Sequence, residues 1–183
     1  MGQEKFGQIK HLNSTFCYLN NDPLNIKNQA YLREGGLLDV GCYCVNFSRF
    51  IFEYEPYNTD SFMEFDPVFN TDLIASGLLK FKNGSATFMC GMHLEFDQKT
   101  EIFGSSGKIE VAIPFNDAMD LTRKITIKKN RKTTVHVFEA INPFLLVIND
   151  FSRSIINNST VTISSEYSLA NMKVISQLFS NYK

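Results

Sequence analysis

The sequence predicts an α+β fold: a large, mostly antiparallel open sheet with helices packed on one face. Three observations carry this. Val40, Cys44, Phe47 and Ile51 recur at helical spacing. From Ser61 onward the apolar period becomes two and stays so through a long series of runs. Helical spacing returns at Asn142 and holds almost to the end. At 183 residues the chain fits one domain with a sizeable core, and residues 1–183 are read as a single unit.

Each element follows in order. Ile9–Tyr18 alternates and is rich in β-formers, which predicts a strand. Asn20–Gly36 is polar and irregular, with a turn at Asp22-Pro23. Asp39–Phe52 reads as a helix, and Pro56 lies just beyond it. Strands are then expected at Ser61–Asp66, Asp72–Phe81, Ser85–Leu94, Thr100–Gly104, Lys108–Ile113, Arg123–Lys128 and Thr133–Glu139. Asn83-Gly84 is a strong two-residue hairpin signal, because such turns need positive φ. Gly104-Ser105-Ser106-Gly107 marks a second reversal, and Lys128-Lys129-Asn130-Arg131-Lys132 a basic, solvated hairpin tip. Asn142 caps a helix with Pro143 at its first position and an apolar stripe of Phe144, Val147, Ile148, Phe151 and Ile155. Ser164 or Ser165 caps the last helix, whose Leu169, Met172, Ile175 and Phe179 share a face.

Helices can cover only one face of this sheet, so the other needs a partner or a polar coat. Phe62, Leu78, Phe81, Phe88, Met92 and Phe103 alternate through the strands, which predicts a homodimer packed sheet against sheet.

Composition narrows the function. Net charge is −1 with both signs interspersed, which gives no footprint for nucleic acid. No apolar run reaches the ~18–20 residues of a membrane span. The first residues lack a signal-peptide core, and Phe6 stands where myristoylation needs Ser or Thr, so a cytoplasmic location is expected. Cys17, Cys42, Cys44 and Cys90 sit among apolar neighbours without metal-ligand spacing and read as reduced packing residues. His11, His93 and His136 lie in strand-like runs, and no metal site is expected.

The most informative stretch is Gly35-Gly36-Leu37-Leu38-Asp39-Val40-Gly41-Cys42-Tyr43. Two glycines precede a helical pattern in which Asp39 and Tyr43 stand four apart, on one face. Two readings stand. Asp39 caps the helix and Tyr43 packs; or carboxylate and phenol together position a hydroxylated ligand and move a proton.

A series of motifs bears on the choice. Asn25-Ile26-Lys27, the run from Gly35 through Tyr43 to Asn46 and Arg49, Leu79–Ala86 with its Asn83-Gly84 turn, Glu101–Val111, Asn149-Asp150-Phe151 and Ser165–Ile175 follow one another. Together they resemble the glucose–fructose oxidoreductase/inositol dehydrogenase (Gfo/Idh/MocA) family over nearly the whole chain. The departures are Arg33-Glu34-Gly35 where the family has a glycine triplet, and Lys27 where arginine is common.

The family joins a Rossmann domain binding NAD or NADP to an α+β half that supplies substrate contacts and the oligomer interface. This chain resembles the second half only. It carries no GxGxxG after a strand, and Glu4-Lys5-Phe6 is no substitute for the family's Glu-Lys-Pro. The resemblance implies the substrate half of an NAD(P)-dependent dehydrogenase acting on a sugar, polyol or cyclic dihydrodiol, inactive alone. Tyr43 takes the acid/base role and Asp39 orients the substrate hydroxyl or the tyrosine, with Lys27, Asn46 and Arg49 as substrate contacts. The cofactor would be bound by a separate Rossmann-domain chain or a longer parent. The alternative is a non-catalytic binding or dimerisation module left from a truncated or split gene.

Overall fold

A computed structural model describes residues 6–32, 35–115 and 122–182. Arg33-Glu34 and Glu4-Lys5, which bear on two of the family motifs, lie outside the described residues. The chain forms an eight-stranded sheet in the order β2-β3-β4-β1-β5-β6-β7-β8. The strands are β1 (Ile9–Leu19), β2 (Asn58–Phe65), β3 (Asp72–Phe81), β4 (Gly84–Gly91), β5 (His93–Gly104), β6 (Lys108–Ala112), β7 (Arg123–Lys129) and β8 (Lys132–Phe138). The helices are α1 (Cys42–Phe52), α2 (Pro143–Ile156) and α3 (Ser165–Ser180).

The predicted α+β class holds, but the sheet is not one meander. β1 inserts between β4 and β5, running parallel to β4 and antiparallel to β5. Two antiparallel meanders, β2-β3-β4 and β5-β6-β7-β8, are thus joined through the first strand. Alternation shows that a segment is a strand, whereas neighbours depend on long-range pairing that no local pattern encodes.

Two strand boundaries also move. The expected Ser85–Leu94 strand stops at Gly91, and β5 begins at His93 rather than Thr100. At Gly91 the backbone passes so close to Leu73 that a Cβ there would meet the Leu73 carbonyl oxygen at 2.6 Å. The chain reverses at that glycine, and the irregular run after it pairs with the end of β1, where the register shifts between Cys17 and Leu19.

One face of the sheet holds the core. Leu12, Phe16, Ala75, Leu79, Phe81, Ala86, Phe88, Cys90, Ile102 and Ile109 are buried there with Cys44, Val45 and Phe52 of α1 and Val174, Ile175 and Leu178 of α3. Phe52 stacks on Phe81 at 4.5 Å between ring centres. α3 is tied to β2 as well: the Ser61 hydroxyl donates to the Leu178 carbonyl, and the Asn181 amide donates to Thr59. Phe81, Phe88 and Met92, expected on a partner-seeking face, are therefore interior residues.

The opposite face is largely polar. Its strand register brings Lys99, Glu101, Lys108, Glu110 and Lys128 into a ladder of ion pairs across β5, β6 and β7. Beside it, His11 bonds Ser85 and Thr87, and Thr87 donates to Asn13. Among the apolar residues expected on that face, Phe62 stands exposed, and Leu78 and Phe103 are partly covered.

α2 has the caps the sequence predicts: the Asn142 side chain accepts from the Phe144 and Leu145 amides, and Pro143 opens the helix. Its Phe144, Val147, Ile148, Phe151 and Ile155 are nonetheless exposed, as is every residue of β8. No helix of the described residues is long and apolar enough to cross a membrane.

Candidate functional site

The helix expected at Asp39–Phe52 begins earlier, and its first part is a π-helical turn, Leu37–Gly41. Single π-turns are rare and recur at functional sites. Gly36 offers no side chain to cap it, and α1 follows directly from Cys42. Close packing shapes the turn: a Cβ at Gly41 would meet Cys90 Sγ at 2.7 Å and the Leu37 side chain at 2.8 Å.

Asp39 does not cap this helix. It lies inside the π-turn, and its carboxylate is the hub of a small network. The Tyr18 hydroxyl donates to Asp39 Oδ2 at 2.5 Å. Lys27 Nζ reaches Asp39 Oδ1 at 2.9 Å and Oδ2 at 3.1 Å, and Tyr18 Oη at 3.3 Å. Lys27 is held in place by local structure: the Asn25 side chain caps a short 3-10 turn, Ile26–Asn28, by accepting from the Lys27 amide. The lysine also lies 5.3 Å from the centre of the Tyr18 ring.

These groups share a cleft of about 310 Å³ with Phe16, Val40, Tyr43, Phe96 and Gln98. Tyr43 is 43% exposed at its wall. Its ring packs against Phe16 and Phe115, which stack on each other at 5.7 Å. Phe115 is in turn anchored by its amide, which donates to Gln98 Oε1 at 3.2 Å. The cleft thus has an aromatic wall and a charged, hydrogen-bonding wall. That pairing suits a ligand with apolar ring faces and hydroxyls at its rim.

Burial pushes the Tyr43 phenol above its usual value, with the Cys42 and Asp39 charges adding to it. Burial and the bond to Asp39 do the same for Tyr18. Burial pulls the Lys27 ammonium down, but its bonds to Asp39 and Tyr18 prevail and leave it above its ordinary value. Both phenols are therefore protonated at neutral pH. Cys42 is pushed up to about 11, chiefly by burial, and its thiol stays protonated. Among the described residues no group of three or more His, Cys, Asp or Glu could hold a metal ion.

Of the residues singled out from the sequence, Asp39, Tyr43 and Lys27 come together in the cleft. Asn46 is partly buried on α1 and does not line it. Arg49 lies elsewhere altogether. It is 2% exposed, pairs with Glu55, donates to the Tyr167 carbonyl and Asn171, and stacks over the Tyr167 ring. Six residues beyond Tyr43 the helix has turned Arg49 toward α3, so it joins α1 to α3 and does not line this cleft. Tyr18 is the residue that spacing did not single out, because its partner Asp39 is distant in sequence. The alternation of β1 held the signal: Leu12, Phe16 and Tyr18 share a face, and the first two are buried under the helices.

Among the described residues, the glycine-rich helix start at Gly35-Gly36 does not fit a pyrophosphate, the group such a start can bind. It is filled by the chain's own Asp72, whose Oδ2 accepts from the Leu37 amide at 2.6 Å.

Comparison with known proteins supports the fold. The GFO/IDH/MocA C-terminal domain matches residues 1–110. An uncharacterized oxidoreductase of Rhizobium meliloti, ORF334, is 29% identical over 180 residues, covering 95% of this chain and 54% of the relative. KijD10, a 3-ketoreductase from Actinomadura kijaniata solved with NADP and TDP-benzene, superposes with a TM-score of 0.88 at 18% identity, over 97% of this chain and 55% of its own. Aldose-aldose oxidoreductase from Caulobacter crescentus, solved with glycerol, gives 0.85 at 16% identity, over 96% and 54%. The chain spans about half the length of these relatives. The matched sequence covers the π-turn, the cleft and the central strands, and on that ground the chain belongs to the GFO/IDH/MocA C-terminal domain family.

Proposed function

We propose that this chain is the substrate-binding half of an oxidoreductase that interconverts a carbonyl and a hydroxyl on a sugar-like or cyclic polyol ligand. The observation that supports it most is the Tyr18–Asp39–Lys27 network lining one cleft together with Tyr43. NAD or NADP, which the family implies, would be held by polypeptide outside the residues described, as a separate chain or a longer parent. It would supply the hydride chemistry.

The work of this chain is positioning and proton transfer. Asp39 and Lys27 supply an acceptor and a donor for neighbouring ligand hydroxyls, and Tyr18 holds the carboxylate in one orientation. Tyr43 carries its proton at neutral pH, so it suits the general acid that protonates a carbonyl oxygen during reduction. Its raised pKa carries a sign: the reductive role is retained through neutral pH and beyond the ordinary phenol value of about 10, and is lost only as pH climbs through the raised value. The dimer predicted from the sequence remains part of this proposal, with the open sheet face, or the apolar surface of β8 and α2, as the contact.

Calorimetry of the purified chain against hexoses, cyclic polyols and sugar nucleotides tests the reading. At least one class should bind. Asp39→Asn should weaken it about tenfold, or ~1.4 kcal/mol, while Tyr43→Phe should leave affinity nearly unchanged and abolish turnover once a dinucleotide-binding part is present. A panel with no binder would overturn the substrate role. NAD(P)H-dependent turnover by this chain alone would overturn the placement of the cofactor outside it.

A further inference from the structure

Asp72, the first residue of β3, is 1% exposed, and Arg49 is its one charged companion among the fully buried polar side chains described. The two differ in their company. Arg49 has the carboxylate of Glu55, whereas among the described residues Asp72 has no cation, and its bonds come from the Leu37 and Gly36 amides at the start of the π-turn and from its own amide. A carboxylate taken out of water without a cation is costly, even when amides solvate it. The cost is visible, since burial raises the Asp72 pKa against those amide bonds.

The surrounding chain is shaped to admit this group. Gly35 has φ +151°, and a Cβ there would collide with Asp72 Oδ1. A Cβ at Gly36 would stand 3.2 Å from Asp72 Oδ2 and 3.2 Å from Gly91 Cα. The two glycines thus form a cradle that the Asp72 carboxylate fills. The turn they open has no cap of its own, and it carries Asp39 at its centre. The Asp39 amide closes the same turn by donating to the Gly35 carbonyl at 2.9 Å.

We infer that Asp72 is a positioning residue for the cleft: its buried carboxylate caps the π-turn and thereby aims Asp39 at Tyr18 and Lys27. The helix start gains a fixed internal anion, and no external phosphate can take that place. The inference deepens the proposed function and rests on it only for the substrate arm of the test.

The experiment is Asp72→Asn in the purified chain, which keeps shape and removes charge. Amide exchange at Gly36, Leu37 and Asp39 should quicken at least tenfold, while β1 and β5 keep their protection. The Tyr18 titration, followed by NMR of labelled tyrosine, should move down toward its ordinary value as Asp39 swings away. Affinity for the ligand found by calorimetry should fall about tenfold. A folded variant with unchanged exchange at these amides and an unchanged Tyr18 titration would overturn the inference. If the variant does not fold, the wild type decides. Its Leu37 amide proton is bound to the Asp72 carboxylate, so its NMR shift should follow the titration of that carboxyl and the Tyr18 ring signals should move with it; a Leu37 amide shift that stays fixed while the Asp72 carboxyl titrates refutes the role. Shifted exchange and titration with no sugar-like binder would leave Asp72 as the positioning residue and remove the substrate reading.

Discussion

The two ends of the sheet are finished differently. Around β4, β1 and β5 the inward apolar side chains are buried in one core with α1, α3 and the π-turn, and Leu12, Leu79 and Ile175 are almost without contact with water. At β8 and α2 the same kinds of residue, in equally regular periods, stay exposed. Periodicity reports that a face is apolar; it does not report that anything within the same chain covers it. The first region is a completed core carrying the candidate site. The second is a surface whose apolar pattern is left uncovered among the described residues.

Substitution in the two regions should separate them most sharply. Leu79→Ala should destabilise the chain by about 2–5 kcal/mol in urea unfolding. Ile148→Ala on α2 should cost less than ~0.5 kcal/mol in the isolated chain. Equal losses would mean that α2 packs in solution as tightly as the core.

Next in size is Arg49→Ala, which removes the link between α1 and α3 and should cost about 2–3 kcal/mol, the scale of hydrogen bonds to a charged group. Because Arg49 does not touch the cleft, ligand affinity should hold wherever the variant remains folded. A loss of affinity without a loss of stability would return Arg49 to the binding site.

The third test is acid titration of the ladder on the open face. Lys108 and Lys128 hold Glu110 down at about 2, against an ordinary value of 4.5. In that interval the unfolded chain binds more protons than the folded one, so stability rises with pH there and is lost as pH falls from 4.5 toward 2. The slope should shrink in 1 M salt, where exposed pairs are screened. The smallest effect concerns assembly: sedimentation at micromolar concentration should show a dimer that Val137→Glu weakens, and a monomer would dismiss the partner for both exposed faces.

Much of this fold could be read in advance from particular residues. The β3–β4 hairpin falls where Asn83-Gly84 predicts it, but its turn residues are Lys82-Asn83, Gly84 already pairs with Phe81, and neither Asn83 nor Gly84 takes the expected positive φ; Asn142-Pro143 and Ser164 open their helices as expected. The parallel pairing of β1 with β4 could not be read, because no residue in Ile9–Leu19 encodes its neighbour. The site was half legible. Spacing put Asp39 beside Tyr43, but the π-turn, Tyr18 and Asp72 depend on contacts between segments far apart in sequence. Arg49 was misplaced because helical spacing gives a direction only relative to the helix axis, and α3 determines which direction is buried.

The position of β1 has a consequence for how the molecule is made. It is the first strand in the chain and a central strand of the sheet, hydrogen-bonded to β4 on one side and β5 on the other. Ser14 cannot meet its partner Thr100 until β5 has left the ribosome. At ~5–20 residues per second that delay is on the order of ten seconds. During it a nascent chain presents a bare edge to other nascent chains, so the risk of mispairing falls on the interval before β5 emerges, and folding itself should be slow for a chain of this size.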